Sequence, residues 1–120
     1  MKDGDFVLCD IGVKKHNLCS DITTTFPVNG KFTKFQKDIY DVVLSAQLAA
    51  IATVKPGVHF KEISMASTEK LVEGLISLGI LKGEKQELIE KGIIRTFMPH
   101  SLSHYIGISY VFLIKRTGYS

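Results

Sequence analysis

The stretch Phe6-Val7-Leu8-Cys9-Asp10-Ile11-Gly12-Val13, followed across Lys14-Lys15-His16-Asn17 by Leu18-Cys19-Ser20-Asp21-Ile22-Thr23-Thr24-Thr25-Phe26, decides the fold. Apolar and β-branched residues dominate both runs, and these are the side chains that suit a pleated strand. The polar segment between them is short enough that a hairpin is the simplest connection. Pro27-Val28-Asn29-Gly30 then supplies the turn residues that end the second strand.

Each arm of this hairpin carries one carboxylate. Asp10 interrupts an apolar run, where an unpartnered buried charge is costly. Taken alone it reads as an edge residue that meets water or an arginine, and Asp21 alone reads as turn chemistry with Ser20. The pair says more. With Lys15 and His16 at the centre of the turn, Asp10 and Asp21 lie directly opposite each other, their Cβ atoms about 4.5–5.5 Å apart. Like charges that close repel unless a cation stands between them, and two hard carboxylates bridging one or two divalent ions would resolve the conflict. The same register keeps Cys9 and Cys19 from facing each other. The opening Met1-Lys2-Asp3-Gly4-Asp5 has no signal-peptide apolar region, so both thiols read as reduced and the cytoplasm is the expected compartment.

Outward from the hairpin the periodicity changes. Thr33-Lys34-Phe35-Gln36 fits a capping box and predicts a helix to about Val54. Ile39, Val42, Val43, Ala46, Ala49, Ala50 and Thr53 form its apolar stripe, and Pro56-Gly57 ends it. A second helix is predicted from Phe60 to Leu78, with Gly79 as its C-terminal cap. A third, short one is predicted over Glu84–Lys91. Ile93 to Met98 reads as a strand. No repeat or interdomain linker is visible, and 120 residues suit one domain or part of one.

Pro99-His100-Ser101-Leu102-Ser103-His104 places two imidazoles four residues apart, on one face if the segment is helical. Histidine is the commonest transition-metal ligand. The ordinary reading is a chance pair of hydrogen-bonded core or surface histidines, which is also the reading given to His16 and His59. A nucleophile elbow, a phosphate-binding loop, a Cys-x-x-Cys pair and a His-Glu-x-x-His helix are all absent from the sequence. A net charge of +3, with its cations spread along the chain, makes no case for nucleic acid or an anionic membrane. No apolar run is long enough to span a bilayer. At 45% hydrophobic and 22% charged residues the chain has a globular rather than a disordered composition.

Five stretches together resemble the pita-bread metallopeptidases, and among them the Xaa-Pro aminopeptidases and prolidases. They are Asp10-Ile11-Gly12; Ser20-Asp21-Ile22-Thr23-Thr24-Thr25-Phe26-Pro27-Val28-Asn29-Gly30-Lys31-Phe32-Thr33; Lys55-Pro56-Gly57-Val58; Gly79-Ile80-Leu81-Lys82-Gly83; and the segment from Phe97 through His100 and His104 to Ile108. The resemblance runs from Asp3 to about Ile108. It implies an α+β fold, part of a domain in which two pseudo-symmetric halves surround a curved antiparallel sheet with helices on one face. It implies that Asp10, Asp21 and His104 are metal ligands and that His100 lines the substrate pocket. Two Glu ligands from the second half would complete the set, one of them shuttling the proton. The implied cofactor is a pair of divalent ions, usually manganese, which lower the pKa of a bridging water so that a nucleophile exists near neutral pH. The implied partner is a peptide with proline at its second position, cut at the bond into proline; association with further copies of the chain is left open.

The sequence also departs from the family. After Ile108 the family continues with Asp-Val-His-Asp, whereas this chain reads Ser109-Tyr110-Val111-Phe112, with Val111 where the family has a histidine. Ser101 replaces a glycine, which predicts strain if that position is left-handed. Neither Glu ligand appears before Ser120. The expectation is a partial metallopeptidase catalytic domain over residues 1–120 that holds no catalytic residue of its own and turns over no substrate, with 109–120 its least well determined part. The competing expectation is a metal-free pita-bread module that binds peptides or proteins. Such relatives lose the Asp and His ligands, which this chain keeps.

Overall fold

A computed structural model describes residues 1–107. They form two compact units: Met1–Lys31 together with the segment from Leu102 onward, and Phe32–Ser101.

The first unit is a long hairpin. β1 (Phe6–Ile11) pairs antiparallel with β4 (Ile22–Pro27), and β2 (Lys14–Lys15) pairs with β3 (Leu18–Cys19) at the tip. The turn is centred on His16 and Asn17, at φ 49° and 62°. Two successive left-handed residues make a mirror-image turn, whose twist matches that of the strands, and asparagine enters that conformation more easily than lysine does. The turn therefore lies one residue later than the sequence reading placed it, and every partner moves by two. Asp10 faces Thr23, not Asp21, and Cys9 faces Thr24. Neither cysteine is in a disulfide.

The ladder pauses at Gly12-Val13 and Ser20-Asp21. Here Ser20 N–H donates to the Val13 carbonyl at 2.9 Å, while Val13 N–H donates to the Ser20 hydroxyl at 3.1 Å. Beyond the pause, Cys19 N–H donates to the Gly107 carbonyl at 2.7 Å, which ties the segment from Leu102 to the hairpin tip. Pro27 does not belong to the break but is itself the last strand residue, and it is buried.

The second unit holds the core. α1 (Lys34–Thr53) begins with the capping box expected at Thr33, whose hydroxyl accepts from Gln36 N–H while Gln36 Oε1 accepts from Thr33 N–H. α2 (Phe60–Ser77) is capped by His59, whose Nδ1 accepts from Lys61 N–H at 3.1 Å. It ends at Leu78, and Gly79 follows at φ 71°. α3 (Lys85–Glu90) is a short third helix. Ala46, Leu71, Val72, Leu75 and Ile94 form the buried cluster, with Val42, Ile76, Leu88 and Met98 packed against it. Gly74 allows α1 and α2 to approach closely, since a Cβ there would stand 2.4 Å from Val42 Cγ1.

Two expectations fail in this unit. Ile93–Thr96 is a 3-10 turn and not a strand. Gly92, at φ 65°, redirects the chain so that Ile94 enters the helical core, and a short apolar run does not distinguish strand from buried helix by itself. Val43 is 53% exposed; the buried line on α1 runs through Gln36, Ala46 and Ala50. On the surface, Lys85 at 2.6 Å and Lys70 at 2.9 Å flank Glu73 and hold its carboxyl down at about 2. No helix among the described residues is long and apolar enough to cross a membrane.

Candidate metal centre

All three carboxylate and imidazole residues singled out as ligands, Asp10, Asp21 and His104, lie in the hairpin unit. Asp10 is exposed on β1, and Thr23, its partner across the ladder, donates its hydroxyl to Asp10 Oδ1 at 3.0 Å. Asp21 sits in the pause, immediately before β4. The Ser20 hydroxyl takes the hydrogen bond from Val13 N–H that the Ser20 carbonyl would accept in a continuous ladder.

His104 lies in irregular chain, so the helical face shared with His100 does not arise. Its Nε2 is 3.1 Å from Asp21 Oδ2, and its Nδ1 is 2.8 Å from the Tyr105 carbonyl. Both ring nitrogens thus face oxygens, whereas a neutral imidazole has only one N–H. If Nδ1 donates to the carbonyl, the Nε2 lone pair points at the Asp21 carboxylate, and a cation shared by the two would satisfy both. A backbone carbonyl holding the far nitrogen is also how ligating histidines are oriented. Two carboxylates and an imidazole are donor types that suit a hard to borderline divalent ion. The structure brings Asp21 and His104 together. Among the described residues no group of three His, Cys, Asp or Glu side chains stands close enough to hold an ion, so Asp10 is not joined to that pair.

His100 belongs to the other unit. It is exposed, with Nδ1 2.9 Å from the Ser101 carbonyl. Ser101 carries no left-handed strain, because His16 and Asn17 are the non-glycine residues with positive φ among those described. Val111 and the rest of 109–120 lie outside the described residues.

The sequence reading passed over Thr23 and Ser20. Thr23, Thr24 and Thr25 are three alike β-branched strand residues, and only the register shows which one meets Asp10. The role of Ser20 depends on the pause, for which the sequence has no distinct signal.

The fold is that of the pita-bread peptidases, seen in part. The chain superposes on zinc-substituted Escherichia coli aminopeptidase P in complex with product with a TM-score of 0.88 at 44% identity, covering 92% of this chain and 25% of that one. It superposes equally on Pseudomonas aeruginosa aminopeptidase PepP, with a TM-score of 0.88 at 40% identity over 92% of this chain and 25% of that one. Residues 1–113 match metallopeptidase family M24, and the chain belongs to that family. Over 108 residues it is 44% identical to the Xaa-Pro aminopeptidase of Escherichia coli K12, covering 90% of this chain and 24% of that protein. It is 43% identical to a probable Xaa-Pro aminopeptidase of Ajellomyces dermatitidis, over 85% of this chain and 22% of that protein. The chain therefore spans about a quarter of the length of the curated relatives it matches.

Proposed function

We propose that this chain supplies the first metal-binding residues of an aminopeptidase that hydrolyses peptide bonds leading into proline. The observation that carries the reading is the Asp21–His104 contact at 3.1 Å, with both imidazole nitrogens facing oxygens. Asp10, Asp21 and His104 would hold the ions, for which we infer a manganese pair, and His100 would line the pocket for a peptide with proline at its second position. Divalent ions, when bound, supply Lewis acidity and a lowered pKa for water. Asp10 and Asp21 contribute negative charge that offsets the cations, and His104 contributes a nitrogen donor already oriented by the Tyr105 carbonyl. Proton transfer needs a base within reach of the attacked bond, and these residues, committed as ligands, do not provide it. The 120 residues alone therefore bind metal without turning over substrate, and the activity resides in the cytoplasm.

A titration of the purified 120-residue chain with Mn2+ and with spectroscopically visible Co2+, followed by an Xaa-Pro peptide assay on the same samples, tests this. We expect binding that Asp21→Asn and His104→Ala each abolish, and no peptide cleavage. Binding unaffected by either substitution would refute the site. Cleavage at the rate of a full-length relative would refute the division of labour.

A further inference from the structure

From the ladder register and the hydrogen bond between them, we infer that Thr23 is a positioning residue for Asp10, fixing which carboxylate oxygen Asp10 presents to a divalent ion. The inference rests on the proposed reading of Asp10 as a ligand and adds a residue that reading does not include. Thr23 stands directly opposite Asp10 in the β1–β4 ladder, and its Oγ1 donates to Asp10 Oδ1 at 3.0 Å. A carboxylate on an exposed strand otherwise samples several rotamers. One donor on Oδ1 restricts that freedom and leaves Oδ2 open to a cation.

Threonine is suited to this role. Its β-branch restricts χ1, so the hydroxyl is set by the strand backbone and not by a mobile stem. The neighbouring hydroxyls cannot substitute, because Thr24 faces Cys9 and Thr25 faces Leu8. Hydrogen-bond partners of metal ligands commonly control affinity by about 10–100-fold. The Asp10–Thr23 pair is exposed, which puts the expected effect at the lower end of that range.

The test is a Co2+ titration of the 120-residue chain, read by visible absorption, with a thermal midpoint recorded for every variant. Thr23→Val keeps the shape and removes the donor, and should weaken Co2+ binding about tenfold. Thr23→Ser keeps the donor and should restore binding to within about twofold. Thr24→Val, one residue away, should leave it unchanged. If Thr23→Val lowers the midpoint, Thr23→Ser against Thr23→Ala makes the same comparison, with Ser retaining affinity and Ala losing it. Should Asp10→Asn weaken binding while Thr23→Val does not, the inference falls and Asp10 stands as a ligand. Should Asp10→Asn also have no effect, or the unaltered chain bind no Co2+, the ligand reading and the inference fall together.

Discussion

The hairpin unit and the helical unit divide the molecule's work unequally. In the helical unit Val72 is fully buried and Ala46, Leu71, Leu75 and Ile94 are nearly so. In the hairpin unit Leu8, Ile11, Leu18 and Ile22 are each more than 60% exposed, and Pro27 is the buried strand residue. Yet all three candidate ligands belong to the hairpin unit. Stability comes from apolar area removed from water, so the helical unit carries it. The hairpin is held by its ladder and turn and can present polar groups at little cost to a core.

The largest expected effect tests that division directly. Leu71→Ala should cost about 3 kcal/mol in chemical denaturation, while Leu8→Ala should cost less than about 0.5 kcal/mol. Equal losses would break the contrast. Gly74→Ala sharpens it. Alanine is the better helix former by about 1 kcal/mol, but its Cβ would meet Val42 Cγ1 at 2.4 Å and Cγ2 at 2.6 Å. Valine is branched and stiff, so the two helices must separate, and we expect a net loss of about 1–2 kcal/mol in thermal denaturation. A gain would mean that Val42 moves aside freely. A smaller effect than that of Gly74→Ala belongs to the turn. Asn17→Ala places a Cβ-bearing residue without a helpful side chain at φ 62° and should cost about 1 kcal/mol. Asn17→Gly should be close to neutral by the same measurement.

The helical unit was the more legible of the two in sequence. The capping box at Thr33 and Gln36 and the glycine after Leu78 fix chain direction locally, and each stands where the motif places it. Ile93-Ile94 was misread because two apolar residues after a glycine do not reveal whether their partner is a strand or a helical core. In the hairpin, strand existence was legible but register was not. One residue's difference in the turn centre, from Lys15-His16 to His16-Asn17, decides whether Asp10 meets Asp21 or Thr23. Sequence alone gives only a modest preference between them, through the tolerance of Asn17 for the left-handed conformation. The hydrogen-bond partner of the candidate ligand Asp10 was hidden for the same reason, since Thr23 is distinguished from Thr24 only once the register is known.

The pause at Gly12-Val13 and Ser20-Asp21 has a consequence for how such a chain can change through descent. β1 and β4 have a ladder of their own, separate from that of the tip, so a tip of different length can re-form with Thr23 still set against Asp10. Residues gained or lost between Val13 and Ser20 would re-form the turn and leave that pairing in place. A single residue inserted within Phe6–Ile11 or Ile22–Pro27 would turn every later side chain of that strand to the opposite face. The tip can thus change length so long as the bond from Cys19 N–H to the Gly107 carbonyl is kept or replaced, while the strands behind it are held to a fixed count.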